Sequence, residues 1–229
     1  MRFLSHRQTL RALELAAVRA QLPLKYSQGF NPHPLVSLPA PRPVGVASRA
    51  ELLVMALDQP CRAEDVLAGL AAQAPRGIDF HQAEVLRSNR VPRPVRASYV
   101  LPLDSADAER VQARLTELRH APTWPVERRI HPKGRRETAA VRTLDVKPMI
   151  AEPAVEGGCL RWSTVPHGDT WARPGDLLRL LGLDERAALA QVVRTAVDYA
   201  AGPAGEMGPR RDDAQAGAAG APQPDDNTP

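Results

Sequence analysis

The sequence predicts a mixed α+β fold built from two similar units. Segments whose apolar residues recur every three or four positions alternate with short extended segments, and this order of segments occurs twice. The chain has 229 residues, which is enough for one large domain or two small ones. Proline accounts for 23 residues, so loops are expected to occupy much of the chain.

A capped helix opens the first half. Ser5 and Gln8 have the spacing of a capping box, in which each side chain bonds the backbone amide of the other residue. Apolar residues then share one face as far as Gln21, and Pro23 ends the helix. The rest of this half is predicted as three extended stretches, a helix and a strand, at residues 24–27, 35–38, 51–57, 62–73 and 78–86.

The second half repeats this order after a proline-rich linker at residues 88–96. One of its helices, at residues 173–181, has Pro174 in its first turn and Gly182 just past its end, which are favoured positions for both residues. The other predicted elements are a strand, a helix, three strands and a last helix, at residues 98–103, 106–119, 124–129, 142–150, 158–165 and 185–200.

Each half thus approximates the β-α-β-β-α-β order of a ferredoxin-like, or split βαβ, unit. The predicted domains are residues 1–90 and 97–201, packed together, and the alternative is one larger mixed sheet. Residues 202–229 are rich in Gly, Pro, Ala and Asp, so they are predicted to form a disordered tail.

Composition excludes several classes of function. No apolar run reaches the length of about 18 residues that a spanning helix needs, and no secretory signal is evident, so a cytoplasmic protein without membrane contact is expected. Cys61 and Cys159 are too few for an iron–sulfur cluster or a zinc ribbon. The six histidines form no local metal motif, and P-loop and dinucleotide motifs are absent. We therefore expect no metal or cofactor bound by this chain.

The segment YSQGFNPHP at residues 26–34 predicts a stiff recognition loop. Gly29 permits positive φ, while Pro32 and Pro34 restrict the residues before them to extended geometry. Rigid loops that display aromatic and hydrogen-bonding groups often bind a partner. The alternative is a structural corner in which Phe30 fills the core. With the nearby start of the first helix, the candidate binding residues are Ser5, His6, Tyr26, Ser27, Gln28, Gly29, Phe30, Asn31 and His33.

This segment and four others resemble the uncharacterised radical SAM-linked proteins. The others are RFLSH at 2–6, PRPVGVASRAELL at 41–53, LDVKPMI at 144–150 and RPGDLLRLLG at 173–182, and the resemblance covers residues 2–199. In that family the domain is fused to, or encoded beside, a radical S-adenosylmethionine enzyme, often near genes of RNA metabolism and ribosomal proteins.

The resemblance implies a radical SAM partner that carries the iron–sulfur cluster and S-adenosylmethionine, with RNA or the ribosome as a further partner. Relatives have more residues before RFLSH, which form most of the first strand. We therefore expect that strand to be truncated here and the true start to lie upstream.

A basic stretch at residues 128–136 predicts contact with phosphate, because arginine forks suit phosphate oxygens. The alternative is a solvated hairpin tip. With three Trp, three Tyr and three Phe in the chain, recognition of the RNA backbone or shape is favoured over base stacking. The candidate phosphate-binding residues are Arg128, Arg129, Lys133, Arg135 and Arg136.

The leading hypothesis is a non-catalytic accessory module that presents RNA or a ribosomal substrate to a radical SAM partner. A second hypothesis is a stand-alone endoribonuclease of the CRISPR repeat-processing type, with His6 and His33 as general base and acid; it rests on fold analogy. A third is a structural adaptor that binds no nucleic acid. If residues 24–27 form the second strand, the loop lies at the same sheet end as His6, and if residues 35–38 do, at the opposite end.

Overall fold

A computed structural model describes residues 1–86, 90–130 and 140–200. These residues form α-helices at α1 (His6–Arg19), α2 (Ala63–Ala72), α3 (Ser105–His120), α4 (Pro174–Leu180) and α5 (Glu185–Leu189), and a 3₁₀ helix at Lys147–Met149. The strands are β1 (Val36–Ser37), β2 (Ala47–Ser48), β3 (Val54–Met55), β4 (Arg93–Pro102), β5 (Pro125–Ile130), β6 (Ala140–Asp145), β7 (Ile150–Glu156), β8 (Cys159–Thr164), β9 (Pro166–His167), β10 (Thr170–Trp171) and β11 (Val193–Ala200).

The main sheet has five strands in the order β2-β11-β4-β8-β7. β2 is parallel to β11, and the other three pairs are antiparallel, so the sheet is mixed. β8 lies between β4 and β7 in the sheet. Along the chain, β4 and β7 are connected by α3 and the β5–β6 pair. The predicted α+β class is confirmed. The sheet spans both predicted domains, because β2 comes from the first half and the other strands from the second.

The first half builds no four-stranded sheet of its own among its described residues. β1 pairs with β3, and single bridges join Leu24 to Leu57 and Tyr26 to Pro34. The remaining pairs outside the main sheet are β5 with β6 and β9 with β10. Long-range strand pairing is therefore concentrated in the second half.

The apolar residues pack into two clusters. The larger one lies between the main sheet and the helices α3 and α4, with Val111, Leu115, Leu160 and Leu177 fully or almost fully buried. The smaller cluster is formed by α1, α2 and the short strands, and includes Leu10, Leu13, Leu24, Val36 and Leu70. None of the helices in the described ranges is both long enough and apolar enough to cross a bilayer.

The predicted last helix at residues 185–200 is wrong beyond Leu189. α5 ends there, and β11 follows as the strand between β2 and β4. The β-branched residues Val193, Thr195 and Val197 recur with a period of two, which suits a pleated strand. The open edge of β4 gives this stretch a partner, so tertiary pairing overrides the helical pattern.

Three further boundaries differ from the predictions. The strand predicted at 78–86 is not formed, because no described strand lies beside it, and Ile78 and Phe80 pack on the smaller cluster instead. The strand predicted at 142–150 is divided by the 3₁₀ helix at Lys147–Met149, where Pro148 has no amide to donate. β4 begins at Arg93, inside the predicted linker.

Pro94 is accommodated near the start of β4 by a local irregularity. It pairs with Tyr199 next to a register shift in β11, and the pairing of β4 with β8 begins only at Ala97. A proline is tolerated in a strand at bulges and at positions without a second neighbour.

Candidate functional site

The predicted recognition loop is closed at its base by Ser27 and His33. The Ser27 amide donates to the His33 carbonyl at 2.9 Å, and the His33 amide donates to Ser27 Oγ at 3.2 Å. Ser27 Oγ also lies 3.1 Å from His33 Nδ1, and Tyr26 bridges Pro34 one residue further out. These contacts join residues on both sides of the turn, so they hold the loop in one conformation.

The tip of this loop projects into solvent. Gln28, Gly29, Phe30 and Asn31 are all exposed, and the Phe30 side chain is as exposed as in an extended peptide. Gly29 has φ +148°, a value that residues with a side chain rarely adopt. Phe30 therefore does not fill the core, and the structural-corner interpretation fails at this residue.

Ser5 and His6 lie at the start of α1. The Ser5 amide donates to Gln8 Oε1 at 2.9 Å, and Ser5 Oγ accepts from the Gln8 amide at 3.3 Å, which confirms the capping box. His6 is the first residue of the helix and is half-buried. The stretches on both sides of the loop, at 24–26 and 34–37, are extended and paired. A joint acid–base role for His6 and His33 stays a prediction.

Arg128 points inward rather than toward solvent. Its side chain is only 14% exposed, and its guanidinium donates to the Trp171 carbonyl at 2.8 Å and forms an ion pair with Asp176. Asp176 is fully buried, and it also accepts from Arg179 and from the Arg173 amide, both at 2.7 Å. This placement gives Arg128 an internal partner and argues against its predicted phosphate contact.

The other four predicted phosphate-binding residues lie wholly or partly outside the described residues. Lys133, Arg135 and Arg136 lie outside the described residues, and so does the side chain of Arg129. The predicted tail at 202–229 also lies outside them. These predictions stand as they were made from the sequence.

A pocket of about 490 Å³ lies between the two halves, and no sequence motif predicted it. The first half contributes residues 40–44, of sequence APRPV, which we call the PRPV segment. The second half contributes residues of β4, β8, β10 and β11 and the entry to α4. The lining includes Arg42, Tyr99, Thr164, Arg173 and Arg194. Sequence patterns did not reveal this pocket, because Arg194 lies in the stretch that helical periodicity predicted as part of the last helix.

Arg194 is the centre of a buried polar cluster beside this pocket. It is 2% exposed and donates to the Ala40 carbonyl at 2.9 Å, to Glu51 at 2.5 Å and to Ser48 at 3.3 Å. All three partners come from the first half of the chain. The cluster therefore joins the PRPV segment and β2 to the main sheet.

Burial dominates the electrostatics of the pocket. It lowers the pKa of the Arg42 guanidinium; the negative charge of Glu51 opposes this fall, and the positive charges of Arg194 and Arg2 add to it. It raises the pKa of the Tyr99 phenol, and the charge of Arg194 opposes that rise. Across the described ranges, no group of three or more His, Cys, Asp and Glu side chains is arranged to hold a metal ion.

Comparison with known proteins identifies the family of the chain. No curated protein and no solved structure matches it. The family model described as "Uncharacterized protein conserved in bacteria (DUF2344)" matches residues 1–173, which include the loop at residues 26–34, the PRPV segment and the strands β5 and β6. The chain therefore belongs to this family of uncharacterised bacterial proteins.

Proposed function

We propose that this chain is an accessory module that docks on a radical SAM protein through the loop at residues 26–34 and presents RNA or a ribosomal substrate to it. The observation that carries the docking step is the full exposure of Phe30 at the tip of a closed loop. The identity of the partner rests on the resemblance of the five sequence motifs to the radical SAM-linked proteins.

The chemistry of the loop favours a protein partner. An exposed aromatic side chain loses water-accessible apolar area when it enters a pocket, and such residues often dominate the binding energy of an interface. Tyr26 is also exposed, by 43%, at the edge of the same loop. Phe30 would be the anchor, and the hydrogen-bonding groups of Gln28 and Asn31 would surround it.

The closure of the loop reduces the cost of docking. Hydrogen bonds between Ser27 and His33 already order the backbone on both sides of the turn. A partner that binds a preordered loop loses less conformational entropy than one that must order the loop itself. The module would supply recognition, and the partner would supply the cluster and S-adenosylmethionine.

The proposal is tested by co-expression of the full chain with a radical SAM protein and co-purification with and without ribonuclease. We expect co-purification under both conditions, because the proposed contact is between proteins. Separate elution of the two proteins under both conditions would overturn the docking proposal. A complex that ribonuclease dissolves would overturn direct docking and place RNA between the two proteins.

Two variants locate the contact. Phe30→Ala should abolish co-purification, because it removes the exposed anchor while leaving the core unchanged. Val85→Ala is the matched control, because Val85 is 72% exposed and lies outside the loop. Equal retention of both variants on the partner would contradict the assignment of the loop. RNA cleavage by the wild-type chain that is lost in His33→Ala would favour the endoribonuclease hypothesis instead.

A further inference from the structure

We propose that the pocket between the two halves binds a small molecule in which an anionic group is attached to a flat, apolar body. The pocket and the recognition loop are formed by different residues. The inference is therefore independent of the proposed docking function, and either can fail without the other.

The charge of the pocket lining is unbalanced. Arg42, Arg173 and Arg194 line the pocket, and no carboxylate does. Glu51 pairs with Arg194 from outside the lining. In the described parts of the chain, neither Arg42 nor Arg173 forms an ion pair, and the Arg42 guanidinium donates only to backbone carbonyls. An anion in the pocket would give Arg42 and Arg173 a charged partner through charge-assisted hydrogen bonds.

Neutral polar groups lie beside these cations. Thr164 is 1% exposed, and the Tyr99 phenol beside it interacts with its hydroxyl. Both residues line the pocket. Pockets that bind small molecules combine apolar walls with a few such polar groups, and here the polar groups lie next to guanidinium groups that can donate to a carboxylate or phosphate oxygen.

The remaining walls are apolar and rigid. Pro41, Pro43, Pro94 and Pro174 contribute rings with fixed φ, and Trp171 contributes an aromatic side chain. Pockets that hold small organic ligands have volumes of about 300–1,000 Å³ and combine apolar walls with a few polar groups. The volume of about 490 Å³ falls within this range. An aromatic or other flat body would pack against Trp171 and the prolines.

The test uses two pairs of probes, each with an anionic and a neutral member. Adenosine 5′-monophosphate is compared with adenosine, and 2-naphthoate with 2-naphthamide. Binding is followed by NMR through the indole N–H signals of the three tryptophans. Trp171 lines the pocket, whereas Trp124 and Trp162 are buried in the core. A Trp171→Phe variant assigns the signal.

We expect an anionic probe to shift the Trp171 signal and to bind at least about tenfold more tightly than its neutral partner, because hydrogen bonds from a guanidinium to an ionised group are stronger than those to a neutral group. The preferred pair identifies phosphate or carboxylate as the anionic group. Equal binding of the charged and neutral members would overturn the proposal. So would the absence of binding by both anionic probes, or binding that leaves the Trp171 signal unchanged.

Two variants connect the binding to the pocket. Arg173→Ala removes an exposed cation and should weaken binding of the anionic probe about tenfold, whereas Arg19→Ala, an exposed arginine outside the pocket, should not. Thr164→Val keeps the shape of the side chain, so it should preserve the fold while weakening the same probe. Unchanged affinity in both pocket variants would overturn the assignment. Phe30→Ala should leave probe binding unchanged, which separates this test from that of the docking function.

Discussion

The two halves of the molecule keep their shape by different means. In the second half, β4 runs for ten residues between β11 and β8, and the associated core contains 19 buried residues among those described. In the first half each strand has two residues, and the core of α1 and α2 contains seven buried residues on the same basis. The second half is held by long paired strands, and the first by the packing of two helices against very short strands.

The first half is joined to the second by several contacts. β2 pairs with β11, Val46 is buried in the larger core, and Glu51 and Ser48 bond to Arg194. Within the first half, the helix cap at Ser5 and the loop at residues 26–34 are held by hydrogen bonds between residues close in sequence. A loop that is closed by its own hydrogen bonds can be ordered while it projects into solvent.

The largest effect is expected at the buried carboxylate of the second half. Asp176→Asn leaves Arg128 without its ion-pair partner in a site that excludes water. Loss of one member of a buried pair costs about 3–5 kcal/mol, so the free energy of unfolding in urea should fall by that amount. Glu109→Gln, an exposed change on α3, should have no measurable effect. Equal stabilities of the two variants would contradict the structural role of Asp176.

The two cores should respond differently to the same truncation. Leu177→Ala and Leu13→Ala each remove a buried side chain, and such changes cost about 2–5 kcal/mol. We expect the larger loss at Leu177, because the long paired strands around it cannot close the cavity. The loops and short strands around Leu13 can relax. Urea unfolding of both variants measures the difference, and a larger loss at Leu13 would reverse the comparison.

The helix caps should respond alike, because capping is local. Ser5→Ala in the first half and Asp104→Ala in the second each remove a side-chain acceptor from the first turn of a helix. Each change should lower the free energy of unfolding by about 1 kcal/mol. Ser5→Asp should restore the loss at the first cap. A loss at Ser5 several times that at Asp104 would show that Ser5 has a role beyond the cap.

The smallest effect concerns alkaline pH at the junction of the halves. Burial raises the pKa of Tyr99, so the folded state holds the phenolic proton more tightly than the unfolded state. This contribution to stability is complete below pH about 10, the ordinary tyrosine value, and is lost as the pH rises through the folded-state pKa. Tyr99→Phe should therefore flatten the fall in stability above pH about 10. An unchanged slope in urea unfolding at alkaline pH would contradict this assignment.

Elements with strong local signals were predicted closely. The capping box at Ser5, the helix that follows it, and the helix between Pro174 and Gly182 all form, because caps, helical periodicity and proline placement act within a few residues. The loop at residues 26–34 also forms as a closed turn, because Gly29 permits the positive φ of the turn and the two prolines restrict the residues before them. These predictions required no knowledge of the rest of the chain.

The secondary structure of the last segment and the partners of the charged groups depended on distant residues. Residues after Leu189 became β11 because β2 and β4 provide an open place beside them, and Arg128 turned inward because Asp176 is buried nearby. The pocket exists only where Arg42, Tyr99 and Arg194 meet across the two halves. The local sequence determines the propensity for a turn or a helix. The pairing of a strand and the partner of a buried charge are decided only when distant segments pack together.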